Sequence, residues 1–296
     1  MKYRTLGSTN LHISVIGLGT WQFGGEWGKD FTPAEVEAIL GRAADLGINF
    51  IDTAECYGDH LSESLIGQAI EHERGRWIIA TKFGHKYESF LNRSEPRSAP
   101  QVLQQLEDSL RALRTDYIDV YQYHSVRNSE FDDPALHDAL AKAKRSGKIR
   151  HIGASISPPD NMHQVQNAPA AQVETIQVLY NRLDRAAETA VLPTCQKLNL
   201  GVLARVPLAS GLLSGKYKPG TGFGPGDVRS TQDQRKLEAR LREAAQIEKT
   251  EVPPGVPMAQ WALAWCLQNA AVTCVIPGCK NVQQVESNAQ AADLLP

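Results

Sequence analysis

Asp52, Tyr57, Lys82 and His124 are ionisable side chains that each close, or closely follow, an apolar strand-like run. Asp52 ends INFID, Tyr57 lies five residues on in TAECYGD, Lys82 ends WIIATK and His124 ends YIDVYQYH. Together they can make a proton donor for carbonyl reduction. A carbonyl that accepts hydride becomes an alkoxide unless a proton arrives. A phenol can supply that proton, although its ordinary pKa is near 10. A neighbouring cation favours the ionised form and so makes the phenol a better donor. Lys82 is placed to be that cation and Asp52 to hold it. His124 is placed to give the carbonyl oxygen a second hydrogen bond and to help relay the proton. Taken singly, these residues read equally well as a turn residue, a packing group, a solvated strand tip and a satisfied hydrogen bonder. Their order at successive strand ends is what points to function.

Strands that end in polar groups suggest a barrel whose working face lies at the strand C-termini. Strand-like and helix-like patterns alternate along the whole chain. The strand-like runs are ISVIGLGT, INFIDTA, RWIIATKFG, DYIDVYQYH, IRHIGASI, TIQVLYN, GVLARVPL and VTCVIPG. Helix signals fall between them. Thr32, Pro33 and Glu35 form a capping box with Gly47 as stop; Ser98 and Gln101 repeat the spacing; Asp133 and Pro134 open a third helix that Gly147 closes. Further helical stretches lie near 62–73, 159–166, 186–198, 232–248 and 257–269. Near-continuous apolar strands separated by helices argue for a parallel sheet buried on both faces. Eight such units in 296 residues fit an α/β fold, a closed (β/α)8 TIM barrel spanning 1–296 as one domain, better than an open sheet. The opening KYRTLGSTNLHIS reads as a β-hairpin covering the bottom of the barrel. The glycine-rich, charged segment 216–230 interrupts the alternation, and a long loop of this kind is usually functional.

Composition narrows the partners. The chain is 42% hydrophobic and 22% charged with net charge −2, so neither nucleic acid nor an anionic membrane is favoured. No apolar run approaches the roughly 20 residues that span a bilayer, and the N-terminus lacks the apolar stretch of a secretory signal. Cys56, Cys195, Cys266, Cys274 and Cys279 are odd in number and show no CxxC spacing. They suggest reduced thiols in a cytoplasmic protein, with no metal site.

FIDTAECYG, IATK and YIDVYQYH resemble the aldo-keto reductase family, and the likeness runs from LGTW to IPGCKNVQQVESN. The resemblance implies a (β/α)8 barrel, NADPH as hydride donor, and reduction of aldehydes or ketones. Asp52, Tyr57, Lys82 and His124 match its catalytic tetrad, with Tyr57 as general acid. GLGTWQFGG lacks the helix that a Rossmann fingerprint requires, so the resemblance instead lays the cofactor across the barrel top. Gly19, Thr20, Trp21 and Asp52 would border it there. Ser155 and Gln177 match contacts to the nicotinamide amide, although Ile156 stands where the family usually has Asn. ARVPLASGLLSGK matches the pyrophosphate run and contributes Arg205, Pro207, Leu208, Ser210, Gly211, Leu212 and Lys216. Many members carry Tyr at the position of Arg205 as a nicotinamide platform. Arginine can stack through its guanidinium plane, and Trp21 could supply an aromatic face from the other side. Gly278, Lys280, Gln284 and Asn288 match the adenosine end, with Lys280 placed for the 2′-phosphate of NADP. The loop 216–230 resembles the family's flap over the pyrophosphate.

Trp21, Trp27, Tyr57, Phe83, Tyr87 and His124 are expected to wall the substrate pocket. His85, Lys86 and Arg93 lean towards a polar or anionic carbonyl compound. The short tail after the last helix makes a sugar aldehyde or other small polar carbonyl a better candidate than a steroid. A monomer or small homo-oligomer is expected. Two rival readings remain at this point: an NADPH-binding partner subunit resembling the potassium-channel β subunits, and a Schiff-base aldolase with Lys82 as nucleophile.

Overall fold

The computed structural model describes residues 1–296. Strands β1 (Tyr3–Thr5) and β2 (His12–Ser14) form an antiparallel hairpin ahead of β3 (Leu18–Gly19). Next come α1 (Pro33–Asp45), β4 (Phe50–Asp52), α2 (Leu61–Ile70) and β5 (Ile78–Phe83). A second hairpin, β6 (Lys86–Ser89) and β7 (Asn92–Ser94), precedes α3 (Ala99–Ala112) and β8 (Ile118–His124). The chain continues through α4 (Asn128–Phe131), α5 (Pro134–Arg145), β9 (Ile149–Ser155), α6 (Met162–Asn167) and β10 (Val173–Leu179). It ends with α7 (Val191–Lys197), β11 (Gly201–Arg205), α8 (Gln234–Thr250), α9 (Met258–Gln268), β12 (Cys274–Ile276) and α10 (Val282–Gln290).

Eight strands run parallel in the order β3-β4-β5-β8-β9-β10-β11-β12. The ends of this sheet meet. Gly17 N donates to Val275 O at 2.9 Å and Gly19 N to Pro277 O at 3.0 Å, closing the (β/α)8 barrel. The expected caps are in place: the Thr32 hydroxyl accepts from Glu35 N, and the Glu35 carboxylate accepts from Thr32 N.

Side-chain alternation explains how the strands position a site, because successive residues point to opposite faces. On β5, Ala80 and Lys82 face inward while Ile79 and Phe83 join the layer beneath the helices; on β8, Tyr121 and Tyr123 likewise face outward. At the strand N-termini the interior is filled by Phe50, Ala80, Val120 and Leu203, against which the hairpin lays Leu6 and Ile13, both fully buried. The hairpin therefore covers the barrel bottom. Gly7 and Gly201 make this contact possible: a Cβ on Gly7 would lie 2.1 Å from Gly201 N.

The β6–β7 hairpin has no counterpart among the sequence expectations. Its tip turns at Leu91, whose φ is +57°, and that conformation depends on a tertiary contact: Leu91 N donates to the buried Glu26 carboxylate at 3.0 Å. No helix of the molecule is long and apolar enough to cross a membrane.

Candidate active site

At the strand C-termini lies a cleft of about 630 Å³, within the range of small-molecule and cofactor sites. Asp52, Tyr57 and His124 line it. Lys82 forms the floor and is fully buried. Its ammonium donates to Asp52 Oδ1 at 2.7 Å, to Thr53 O at 2.7 Å and to Tyr57 Oη at 3.1 Å. Asp52 Oδ2 accepts from Gln177 Nε2 at 2.6 Å and from Gln122 Nε2 at 3.2 Å. The His124 ring stands edge-on to Tyr57 with centroids 6.2 Å apart, and its Nδ1 lies 3.8 Å from Cys56 Sγ. The four groups that are scattered through the sequence thus converge.

The electrostatics modify the expected chemistry. Burial raises the Tyr57 pKa and outweighs the lowering by Lys82, so the phenol is pushed up to about 12. Tyr57 is therefore not acidified in net terms, and it keeps its proton at neutral pH. Burial alone would lower the Lys82 pKa, but Asp52 and Tyr57 reverse this and hold the ammonium charged. Burial and then Lys82 push His124 well below the ordinary histidine range, so the imidazole is neutral.

Most expected cleft residues line the cavity: Gly19, Thr20, Trp21, Ser155 and Gln177 near the tetrad, then Arg205, Pro207, Leu208, Ser210 and Gly211. Lys216, Gly278, Lys280, Gln284 and Asn288 line it as well. Several of them are already engaged. The Thr20 hydroxyl donates to Asp52 O, and the Gln177 amide donates to Asp52 while accepting from the Ser155 hydroxyl at 3.3 Å. Gln284 Oε1 accepts from Lys280 N.

Three expectations fail. Phe83 does not wall the pocket; one residue beyond Lys82 on a strand, it points outward and packs 4.8 Å from both Tyr121 and Tyr123. Leu212 is buried in an apolar cluster with Leu237 and Leu241 rather than in the cleft. Tyr87 lies under Arg93 on the hairpin. Trp27 does line the cleft, edge-on to Trp21 at 5.2 Å, and Trp21 stacks on Tyr57 at 5.9 Å.

The anionic leaning also loses its support. Arg93 lines the cleft, but its guanidinium binds both oxygens of Glu26, at 2.7 and 2.6 Å. Glu26 Oε2 also accepts from Trp21 Nε1 at 2.7 Å. Burial, then Arg97, lower the His85 pKa, and Lys86 is exposed. Arg93, His85 and Lys86 therefore bring no free positive charge to the substrate end.

Sequence reasoning missed Arg229. Its guanidinium binds Asp227 through two hydrogen bonds and lies 3.9 Å over the Phe223 ring. The segment carrying it joins the loop after β3 through Gly28 N to Gly226 O and Val228 N to Glu26 O, both at 3.0 Å. No local signal announces this pairing, because the partners are about 200 residues apart. All five cysteines are buried and unpaired.

This barrel, with its cleft at the strand C-termini, can be compared with known proteins. The profile described as the Aldo/keto reductase family matches residues 15–296. The chain is 31% identical to L-glyceraldehyde 3-phosphate reductase of Escherichia coli (strain K12), covering 100% of this chain and 88% of the relative. It is 30% identical to NADH-specific methylglyoxal reductase of the same strain, covering 99% and 94%. Among solved structures, the holo form of aldo-keto reductase AKR11C1 from Bacillus halodurans superposes with a TM-score of 0.83 at 30% identity, covering 100% and 92%. The chain belongs to the aldo-keto reductase family of oxidoreductases, which use nicotinamide cofactors.

The residues present fit such a dinucleotide. Five cations line the cleft (Arg93, Arg205, Lys216, Arg229 and Lys280); Arg93 and Arg229 are paired with Glu26 and Asp227, and the other three form no ion pair. Lys216, Arg229 and Lys280 are the residues that could hold the dinucleotide's phosphates.

Proposed function

We propose that this protein reduces a small, polar, uncharged aldehyde or ketone to the alcohol, with NADPH as the electron source and Tyr57 as the proton donor. The observation that carries this reading is the ammonium of Lys82, fully buried and 3.1 Å from the Tyr57 hydroxyl on the cleft floor.

The bound dinucleotide supplies two electrons and a hydrogen as hydride to the carbonyl carbon. The chain's own groups manage the oxygen. Tyr57 donates a hydrogen bond to the carbonyl oxygen and keeps its proton until charge builds there. The proton then leaves the phenol as the carbon accepts hydride, so the O–H bond of tyrosine is exchanged for that of the alcohol. Lys82 stabilises the phenolate that remains. Asp52, itself held by Gln177 and Gln122, fixes the ammonium. Neutral His124, with Nδ1 turned to the Cys56 thiol, is left with Nε2 to hold the same carbonyl oxygen. Trp21 stacked on Tyr57 shields the reacting groups from water.

Lys280 supports NADPH over NADH. It lines the cleft, and the charges of Arg229 and Lys216 act on it. Lys280→Ala should weaken NADPH binding by about tenfold or more and leave NADH within about threefold, read by quenching of Trp21 and Trp27 fluorescence. Equal losses for both would remove the NADPH preference. For the reaction itself, Tyr57→Phe should lower kcat by ~10²–10⁴ across a panel of hydroxyaldehydes, dicarbonyls and keto sugars, with NADPH affinity retained. A variant that keeps most of its turnover would refute Tyr57 as the donor.

A further inference from the structure

Arg205 lines the cleft and has no carboxylate partner. It ends β11, two residues after Leu203, and therefore shares the inward-facing set to which Asp52, Lys82 and Gln177 belong. The carboxylates whose fields reach it are Asp52 and Asp184. The first is bonded to Lys82 and the second to Arg240. Arg205 itself forms no ion pair. One amino group makes a long contact of 3.5 Å to Ile156 O, and its buried Nε has no partner at all. The Ile156 side chain offers no partner, because it is fully buried in the outer apolar layer.

Asp52 and Lys82 cancel, so the floor beside Tyr57 carries a net positive charge that belongs to Arg205. A guanidinium keeps that charge at any working pH, and the partly dry cleft screens it poorly. Its position in the cleft matters. Arg205 lines the same cleft as Tyr57, Lys216, Arg229 and Lys280, and it lies near enough to Tyr57 and Asp52 for their charges to act on it. A redox ring that reaches a carbonyl held by Tyr57 would therefore lie within range of the Arg205 charge. The oxidised ring is a cation and the reduced ring is neutral.

We propose that Arg205 makes this cleft select the charge state of the nicotinamide, binding the reduced ring in preference to the oxidised one and so favouring carbonyl reduction and prompt release of the spent cofactor. This rests on the nicotinamide reading above but not on which carbonyl is reduced, nor on whether NADP or NAD is used.

The test is binding, not turnover. Dissociation constants of the oxidised and reduced dinucleotide are measured by tryptophan fluorescence on wild type, Arg205→Met and Arg205→Lys, and the ratio oxidised to reduced is taken for each. The ratio should fall at least tenfold in Arg205→Met, equal to ~1.4 kcal/mol or ~30 mV in the potential of the bound couple. Arg205→Lys should keep it within about threefold of wild type. An unchanged ratio in Arg205→Met overturns the proposal. So does an equal fall in Arg205→Lys, because then shape and not charge sets the preference. If wild type binds neither form, the nicotinamide reading itself fails, which is a distinct result.

Discussion

Replacing Lys82 by methionine separates what its ammonium does for folding from what it does for chemistry. Lys82 is fully buried, 2.7 Å from Asp52 Oδ1 and 3.1 Å from Tyr57 Oη. Without it Asp52 is a carboxylate only 3% exposed, left with two amide donors, from Gln177 and Gln122. Stranding one partner of a buried ion pair costs ~3–5 kcal/mol. Adding Asp52→Asn removes the stranded charge, so the double variant should regain ~2 kcal/mol or more over Lys82→Met alone; residues in direct contact couple on this scale. Activity should not follow. Tyr57 already lies at about 12 because burial outweighs Lys82; without the ammonium it rises further, and the phenolate that proton donation leaves behind is unsupported. Both variants should lose ~10²–10⁴ in kcat. Urea unfolding followed by circular dichroism gives the first quantity, and NADPH oxidation with a simple aldehyde the second. The reasoning is refuted if the double variant is no more stable than Lys82→Met, or if it recovers turnover.

Two other outcomes follow from buried features away from the tetrad. Gly7→Ala would place a Cβ 2.1 Å from Gly201 N at a φ of +55°, so the hairpin must lift from the barrel bottom. At ~3 kcal/mol, Tm should fall by about 6 °C or more, and an unchanged Tm would show that this contact yields freely. Glu55 is 3% exposed, and burial, then Glu63, push its carboxyl up to about 9. The native state therefore holds this proton more tightly than the unfolded chain. Its contribution is complete below the ordinary carboxylate range and is lost as pH rises towards 9. Glu55→Gln should flatten the decline in Tm between pH 5 and pH 9 by ~2 °C or more; parallel Tm profiles for the variant and wild type would refute this.

Much of this protein was legible in its linear chemistry. The near-continuous apolar runs ending in Asp52, Lys82 and His124, the capping box at Thr32 and Glu35, and the glycine stops are short-range signals, set by strand burial and unsatisfied helix ends. They determined the eight βα units, the hairpin at the bottom and which four ionisable groups close or follow the strands. Only the tertiary structure decided which charges meet. Arg93 reads as an anion binder until Glu26 neutralises it, and Arg205 reads as one basic residue among many until every nearby carboxylate proves to be taken. Tyr57 follows the same rule: its lysine neighbour was foreseeable, but the burial that outweighs it depends on walls supplied by Trp21 and the hairpin after β5. Local pattern specifies where a side chain points, whereas its charge state and partners depend on remote groups that converge only when Gly17 and Gly19 close the barrel against Val275 and Pro277.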